Sequence, residues 1–163
     1  MIKKLIIFFS VSFILAACSK SSSNSRCGYY DSGVTAPASE IATLKSWITV
    51  NHPAAIQDSS GFFYEITSAG TGGTANICSH VIIKYSGYLI FTSPLFKFDE
   101  SLTPVTLTLG TLIIGWQKGL KLIQAGGIIN LYIPPTLGYG ASAAGNIPAN
   151  SYLLFSIQLV GVQ

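Results

Sequence analysis

Hydrophobic positions recur at two different spacings along the chain. Between residues 39 and 52 they fall at i, i+3, i+6 and i+7, as Ile41, Leu44, Trp47 and Ile48, which predicts an amphipathic helix of about three turns. From residue 62 onward, short hydrophobic runs separated by Gly and Pro predict strands. Every second residue from 153 to 159 is hydrophobic, as expected of a strand with one face on a core.

Strands dominate the second part of the chain, and one short helix interrupts them. The predicted strands are Phe62–Ile66, Ile77–Leu89, Val105–Leu109, Ile128–Ile133 and Tyr152–Val160. The helix is indicated by Trp116, Leu120 and Ile123 at i, i+4 and i+7, before two glycines that end the run. We therefore predict an α+β fold, in which an antiparallel, twisted sheet of about five strands packs on one short helix and carries an N-terminal helical extension.

Residues 1–17 have the pattern of a secretory signal peptide. Lys3 and Lys4 precede thirteen uncharged residues, a run too short for the roughly 20 apolar residues that span a bilayer. The run ends in Leu-Ala-Ala-Cys, which resembles the lipobox of bacterial lipoproteins. The resemblance implies that Cys18 is lipidated and becomes the new N-terminus. The alternative is an ordinary cleavage site with Cys18 incidental.

Removal of the signal peptide would leave 146 of the 163 residues. Residues 18–25 are rich in serine and predict a flexible tether. Residues 26–60 then form an N-terminal extension with one helix, and residues 61–163 form the main domain. No later run approaches the length of a membrane-spanning helix.

If Cys18 carries the lipid, Cys27 and Cys78 remain as one possible pair. Export places them in an oxidising compartment, which favours a disulfide, whereas two separate buried thiols are the alternative. Cys78 and His80 could share a strand face and bind a metal with His52, but the chain lacks a close ligand pair of the usual kind. We predict the Cys27–Cys78 disulfide and no metal site.

Composition and charge exclude several classes of function. Charged residues make up 9% of the chain and hydrophobic residues 49%, which excludes a charge-driven disordered chain. The formal net charge of +3 falls to +1 without Lys3 and Lys4, so we predict no nucleic-acid partner. Six scattered carboxylates and two isolated histidines give no catalytic constellation for hydrolysis.

One glycine motif mimics a dinucleotide-binding fingerprint, with Gly138, Gly140 and Ala143 at the required spacing. Asn146-Ile147-Pro148 follows where a helix should begin, and the motif therefore fails on context. We predict no cofactor.

Five segments between residues 81 and 160 resemble, in order and spacing, the motifs of one family, the FKBP family of peptidyl-prolyl isomerases. They are Val81–Gly87 (V-x-V-x-Y-[TS]-G), Phe98–Ser101 (F-D-x-S), Leu109–Trp116 (ending V-I-x-G-W), Ile133–Gly140 (I-P-x-x-L-x-Y-G) and Ile147–Leu159 (the closing strand). The likeness extends upstream to residues 61–66 and covers about 100 of the mature residues. It implies an FKBP-like isomerase domain over residues 61–163.

The resemblance implies a proline-binding pocket. The residues that it assigns to catalysis are Tyr85, Phe98, Asp99, Ile113, Trp116, Tyr139 and Phe155, and those that it assigns to substrate binding are Leu112, Ile147, Val105 and Phe96. Trp116 would form the floor under the proline ring. The Ile113 N–H and the Tyr139 hydroxyl would bind substrate carbonyls, and Asp99 would orient the pocket through hydrogen bonds to Tyr85.

The chain departs from the family pattern in two places. The segment of residues 88–97 is longer and more apolar than the family's polar turn. We expect it to be a flap that contacts substrates or partners, with packing over the sheet or the N-terminal helix as the alternative. A pocket aromatic expected before Leu109 is replaced by Val105 or Leu107.

The resemblance implies an enzyme, a peptidyl-prolyl cis-trans isomerase that assists the folding of exported proteins. Its partners would be proline-containing unfolded or exported polypeptides, and the membrane only through the lipid anchor. We expect a monomer in the bacterial cell envelope, anchored in the outer membrane and facing the periplasm. The alternative function is an FKBP-fold binding or chaperone module without catalysis.

Overall fold

The computed structural model describes residues 27–163 of the chain. Its helices are Ala38–Asn51 (α1) and Ile114–Gly119 (α2), and its strands are Ile56–Gln57 (β1), Phe63–Ser68 (β2), His80–Leu89 (β3), Phe96–Thr108 (β4), Ile128–Ile133 (β5) and Leu153–Val162 (β6). The predicted signal peptide, the tether and the lipidation site Cys18 lie outside the described residues.

The six strands form one sheet in the order β1-β2-β5-β6-β3-β4, and every neighbouring pair is antiparallel. The predicted α+β class with an antiparallel sheet and a short helix is confirmed. The sheet gains its sixth strand from the two-residue β1 at one edge. At the other edge, β4 begins at Phe96, well before the predicted start at Val105.

Helices cover both faces of the sheet. The short α2 and the 3-10 turn Leu120–Leu122 that continues it bury Trp116, Leu120 and Ile123 in the larger core. The predicted helix is thus confirmed in its buried face, although its last turn is tighter than an α-helix. On the opposite face, Leu44 and Ile48 of α1 pack into a second cluster with Tyr132 of β5.

The loop between β3 and β4 is anchored at one end and exposed at the other. Ile90 is only 5% exposed and packs in the second cluster, and its backbone N–H donates to the carbonyl of Tyr152. The expected flap is therefore wrong for Ile90, because this side chain fills a space beside α1. Phe91 and Leu95 in the same loop are exposed.

The chain before α1 is fixed to the domain at several residues, among them the buried Ala36, whose backbone N–H donates to the Ser60 carbonyl at 2.9 Å. Cys27 and Cys78 form a disulfide with their Cα atoms 5.7 Å apart, and Asp31 makes an ion pair with Lys121. The ring of Tyr29 covers Gly110 so closely that a Cβ atom at residue 110 would collide with it. In residues 27–163, neither helix combines the length and apolar character needed to cross a membrane.

Candidate active site

A cavity of about 460 Å³ opens between the strands β3, β4 and β6, α2 and the loop after β5. Such a volume is typical of a site for a small molecule or a short peptide segment. Nine of the predicted site residues line the cavity, namely Tyr85, Phe98, Asp99, Leu112, Ile113, Trp116, Tyr139, Ile147 and Phe155. The structure thus brings together side chains that lie up to seventy residues apart in the sequence.

Three aromatic rings form the base of the cavity, with Trp116 in edge contact with each of the other two. Trp116 is 4% exposed, and its ring lies 4.9 Å from that of Phe155 at 88° and 5.2 Å from that of Tyr85 at 76°. These T-shaped contacts place the positive edge of one ring against the negative face of another, which holds the rings in one orientation. The floor is therefore both apolar and rigid.

A β-bulge in β4 directs the fourth aromatic residue, Phe98, towards the cavity. Gly87 pairs with Asp99 and Tyr88 pairs with Lys97, so Phe98 is the extra residue between the two pairs. The Phe98 ring lies 5.5 Å from that of Phe155. A Cβ atom at Gly87 would approach the Phe98 ring to 2.7 Å, and this position therefore requires glycine.

Hydroxyl groups and one carboxylate form the polar side of the cavity. The Tyr85 hydroxyl donates to Asp99 Oδ2 at 2.7 Å, and the backbone N–H of Glu100 donates to Asp99 Oδ1 at 2.8 Å. Burial and the hydrogen bond to Asp99 raise the pKa of Tyr85 to about 12. Burial and the nearby Asp99 charge also raise the pKa of Tyr139, so both phenols stay protonated at neutral pH.

The loop before α2 presents the backbone of Ile113. The carbonyl of Ile113 accepts hydrogen bonds from the N–H groups of Trp116 and Gln117 at 2.9 and 3.1 Å, while the Gln117 side chain donates to the Leu112 carbonyl at 2.7 Å. These bonds fix the peptide on both sides of the Ile113 N–H. Within residues 27–163, no backbone carbonyl accepts from that N–H, so it remains a donor for a ligand.

Two predicted substrate-binding residues lie away from the cavity. Phe96 pairs with Leu89 at the far end of the β3–β4 hairpin, beyond the bulge, and is 49% exposed. Val105 packs against the larger core opposite Ile83. The predicted placement of Phe96 and Val105 in the pocket is therefore wrong, and Leu107, the alternative to Val105, lines the cavity.

Sequence reasoning missed four lining residues: Thr111, Ala144, Gly145 and Asn146. The last three form a tight turn in which the backbones of Ala144 and Ile147 exchange two hydrogen bonds of 2.9 and 3.0 Å. The glycine of this segment adopts a φ of +57°. Glycine is the residue that most readily takes up such an angle, and it was therefore the signal of a turn in the sequence.

The lining supplies apolar surface and hydrogen-bond donors rather than ligands for a metal. Asp99 is the one charged residue among the described residues of the lining, and no group of three potential metal ligands occurs within residues 27–163. Such a cavity can hold an apolar ring and orient a peptide through its carbonyls, because the Tyr139 hydroxyl and the Ile113 N–H are donors, whereas the Tyr85 hydroxyl already donates to Asp99.

The family model described as FKBP-type peptidyl-prolyl cis-trans isomerase matches residues 72–160. FkpA of Buchnera aphidicola subsp. Schizaphis graminum is 43% identical over 111 residues, which are 64% of this chain and 42% of that protein. FkpA of Escherichia coli is 39% identical over 108 residues, 64% of this chain and 39% of that protein. The chain thus spans about two fifths of the length of the curated relatives that it matches.

Solved structures show the same likeness. The crystal structure of Escherichia coli FkpA matches with a TM-score of 0.68 and 32% identity, over 77% of this chain and 58% of that one. The crystal structure of a peptidyl-prolyl cis-trans isomerase from Pseudomonas syringae matches with a TM-score of 0.66 and 27% identity, over 80% of this chain and 99% of that one. With the family model matching more than half of its length, this chain belongs to the FKBP-type peptidyl-prolyl cis-trans isomerase family.

Proposed function

We propose that this chain catalyses cis-trans isomerisation of X-Pro peptide bonds. The observation that carries the proposal is the composition of the cavity, in which four aromatic rings surround a small set of hydrogen-bond donors. Within residues 27–163, the lining contains no cysteine, serine, lysine or histidine. Its two groups that could serve as a base or a nucleophile, Asp99 and Thr111, are engaged in hydrogen bonds with the Tyr85 hydroxyl and the Thr108 carbonyl. A reaction in which no covalent bond is made or broken suits this site.

Rotation about an X-Pro bond is slow because amide resonance is lost at the twisted geometry, at a barrier of about 18–20 kcal/mol. In the twisted state the nitrogen no longer donates charge to the carbonyl oxygen, so the amide is less dipolar than either planar isomer. An apolar cavity that excludes water therefore stabilises the twisted state relative to the planar ones. The aromatic floor around Trp116 would supply this environment.

The polar groups would fix the substrate while its amide twists. The Ile113 N–H and the Tyr139 hydroxyl, both at the cavity, would donate to carbonyls of the bound peptide. Asp99 holds Tyr85 at the wall through a hydrogen bond of 2.7 Å. Both tyrosines stay protonated near neutral pH while the peptide is oriented, since their pKa values are raised.

The test is exchange NMR on an X-Pro tetrapeptide with and without the purified chain. We expect the chain to accelerate an exchange that alone takes roughly tens to hundreds of seconds. The Tyr139→Phe variant should lower kcat/KM by about tenfold, because one donor to the substrate is lost. Tyr152→Phe, the same change on the opposite face of the sheet, should leave kcat/KM unchanged.

A folded wild type that leaves the exchange of several X-Pro sequences unaccelerated would contradict the isomerase proposal. In that case the second candidate is a module that binds unfolded polypeptides, which the exposed side chains of Phe91, Leu95 and Phe96 favour. Binding can be followed by the fluorescence of Trp47, whose ring lies 6.5 Å from that of Phe91, because Trp116→Phe leaves it as the one tryptophan in the chain.

We further propose that the substrates are exported polypeptides that contain proline, and that the chain is tethered to a membrane by lipid on Cys18. The support is the order of the N-terminal sequence: two lysines, an apolar run, Leu-Ala-Ala-Cys and a serine-rich segment. Acyl chains stabilise attachment by about 0.8 kcal/mol per buried CH₂ group, so more than one chain makes anchoring stable. A location in the outer membrane facing the periplasm and a monomeric state stay predictions.

The anchoring proposal is tested with Cys18→Ser, expressed in a bacterium that processes lipoproteins. We expect this variant to lack the lipid and to be unprocessed or mislocalised, because the thiol that accepts the lipid is gone. Ser19→Ala, which changes a neighbouring residue of the tether, should be processed as the wild type is. Partition of Cys18→Ser into detergent at the level of the processed wild type would mean that the anchor lies elsewhere.

A further inference from the structure

Besides its hydrophobic contacts, helix α1 makes a contact with the rest of the domain through the charged side chain of Glu40. The carboxylate of Glu40, in the first turn of α1, accepts a hydrogen bond from the backbone N–H of Thr136 at 2.9 Å and one from the Thr136 hydroxyl at 2.7 Å. Both side chains are half-buried. Glu40 lies outside the matched family segment of residues 72–160, so the family likeness assigns it no role.

The Thr136 N–H needs an acceptor that its own turn cannot supply. Thr136 is the second residue of the 3-10 turn Pro135–Leu137, and the first N–H groups of a helical turn have no partner within it. Glu40 therefore fixes the start of the turn, and its two bonds to charged oxygen are stronger than neutral ones.

The same turn holds Tyr139 at the cavity. The backbone N–H groups of Gly138 and Gly140, which flank Tyr139, both donate to the carbonyl of Pro135 at 2.9 Å. Pro135 directly precedes Thr136, and Leu137 is fully buried in the larger core. A displacement of the turn at Thr136 would thus be passed to the backbone on both sides of Tyr139, whose own side chain is 40% exposed and has little packing to hold it.

We propose that Glu40 is a positioning residue that holds the Tyr139 hydroxyl at the substrate carbonyl, a role that rests on the proposed isomerase function. The N-terminal extension then completes the active site in addition to covering the back of the sheet. Leu44 and Ile48 keep α1 docked independently of Glu40, because they are buried in the second cluster. Removal of the carboxylate therefore loosens the turn and leaves the helix in place.

The test is a double-mutant cycle in the full chain, with kcat/KM measured by exchange NMR on an X-Pro tetrapeptide. Glu40→Ala should lower kcat/KM about fivefold, and Thr136→Val, which removes only the hydroxyl, should lower it less. In a Tyr139→Phe background, Glu40→Ala should have no further effect, since Glu40 acts through the missing hydroxyl. Ser39→Ala, an exposed change in the same turn of α1, should match the wild type.

Amide hydrogen exchange provides a readout that does not depend on catalysis. Glu40→Ala should speed exchange at Gly138 and Gly140 and leave Leu131, in the middle of β5, protected as before. Unchanged exchange at both glycines would overturn the positioning role. Equal losses of kcat/KM from Glu40→Ala with and without the Tyr139→Phe change, in an active chain, would overturn it as well. A wild type without any acceleration would overturn the proposed isomerase function instead.

Discussion

Replacing both cysteines of the disulfide, as Cys27→Ser together with Cys78→Ser, is expected to lower the free energy of unfolding by about 4 kcal/mol. The disulfide joins residues separated by 51 positions in the sequence, and closing a loop of that length restricts the unfolded chain far more than the folded one. Urea titration followed by circular dichroism measures the change, with the midpoint expected to fall and the slope to rise, because the denatured chain without the bridge exposes more surface.

The single variants distinguish a bridge from two separate thiols. Cys27→Ser and Cys78→Ser should each cost as much as the double change, because either one opens the bridge, whereas independent buried thiols would give losses that add. A loss near zero, with rapid proteolysis before α1, would contradict the prediction. It would mean that the segment of Tyr29 and Asp31 detaches while the rest of the domain stays folded.

The fold was predictable wherever hydrophobic spacing reflects one buried face. The alternation over residues 153–159 and the helical stripe around Leu44 both correspond to the elements observed. Hydrophobic spacing did not predict the first half of β4. This strand lies at the edge of the sheet, is mostly exposed and contains two register shifts. An exposed strand has no face on the core, and its hydrophobic and polar residues therefore do not alternate in a way that predicts a strand.

The second cluster, in which α1 packs on the sheet, was not predictable from the sequence of β5 alone. β5 reads Ile-Ile-Asn-Leu-Tyr-Ile, a nearly continuous hydrophobic run that fits a strand covered on both faces. Leu131 belongs to the larger core and the adjacent Tyr132 to the second one. Which helix covers which face of the sheet could not be predicted from this run, because it depends on the path of the chain before β2.

The active-site residues were predictable from their order and spacing, whereas their neighbours were not. Trp116 and Phe155 alone read as ordinary core residues, and only the family pattern indicates that these core residues also line a pocket. The position of Phe98 depends on a β-bulge, and a bulge has no reliable sequence signal beyond a nearby glycine. The same bulge explains why Phe96, two residues earlier, was assigned wrongly to the cavity.

The loop between β3 and β4 carries the second large prediction, a contrast between two hydrophobic residues. Ile90→Ala is expected to lower the free energy of unfolding by about 3 kcal/mol, because it removes a nearly buried side chain from the cluster of Leu44, Ile48 and Tyr132. Leu95→Ala should cost less than about 1 kcal/mol, since Leu95 is 38% exposed. Urea titrations of the two variants measure both changes.

The contrast decides what the loop does. If Ile90 anchors the loop and the Leu95 side chain stays exposed, Leu95→Ala should weaken the capture of an unfolded protein. Turnover of a short X-Pro peptide should stay unchanged, because the cavity lining does not include Leu95. Equal and large losses of stability would show that the whole loop is core and has no surface for partners. Equal and small losses of stability would show that the packing of α1 on the sheet does not depend on Ile90. That result would contradict the role of Ile90 in the second cluster.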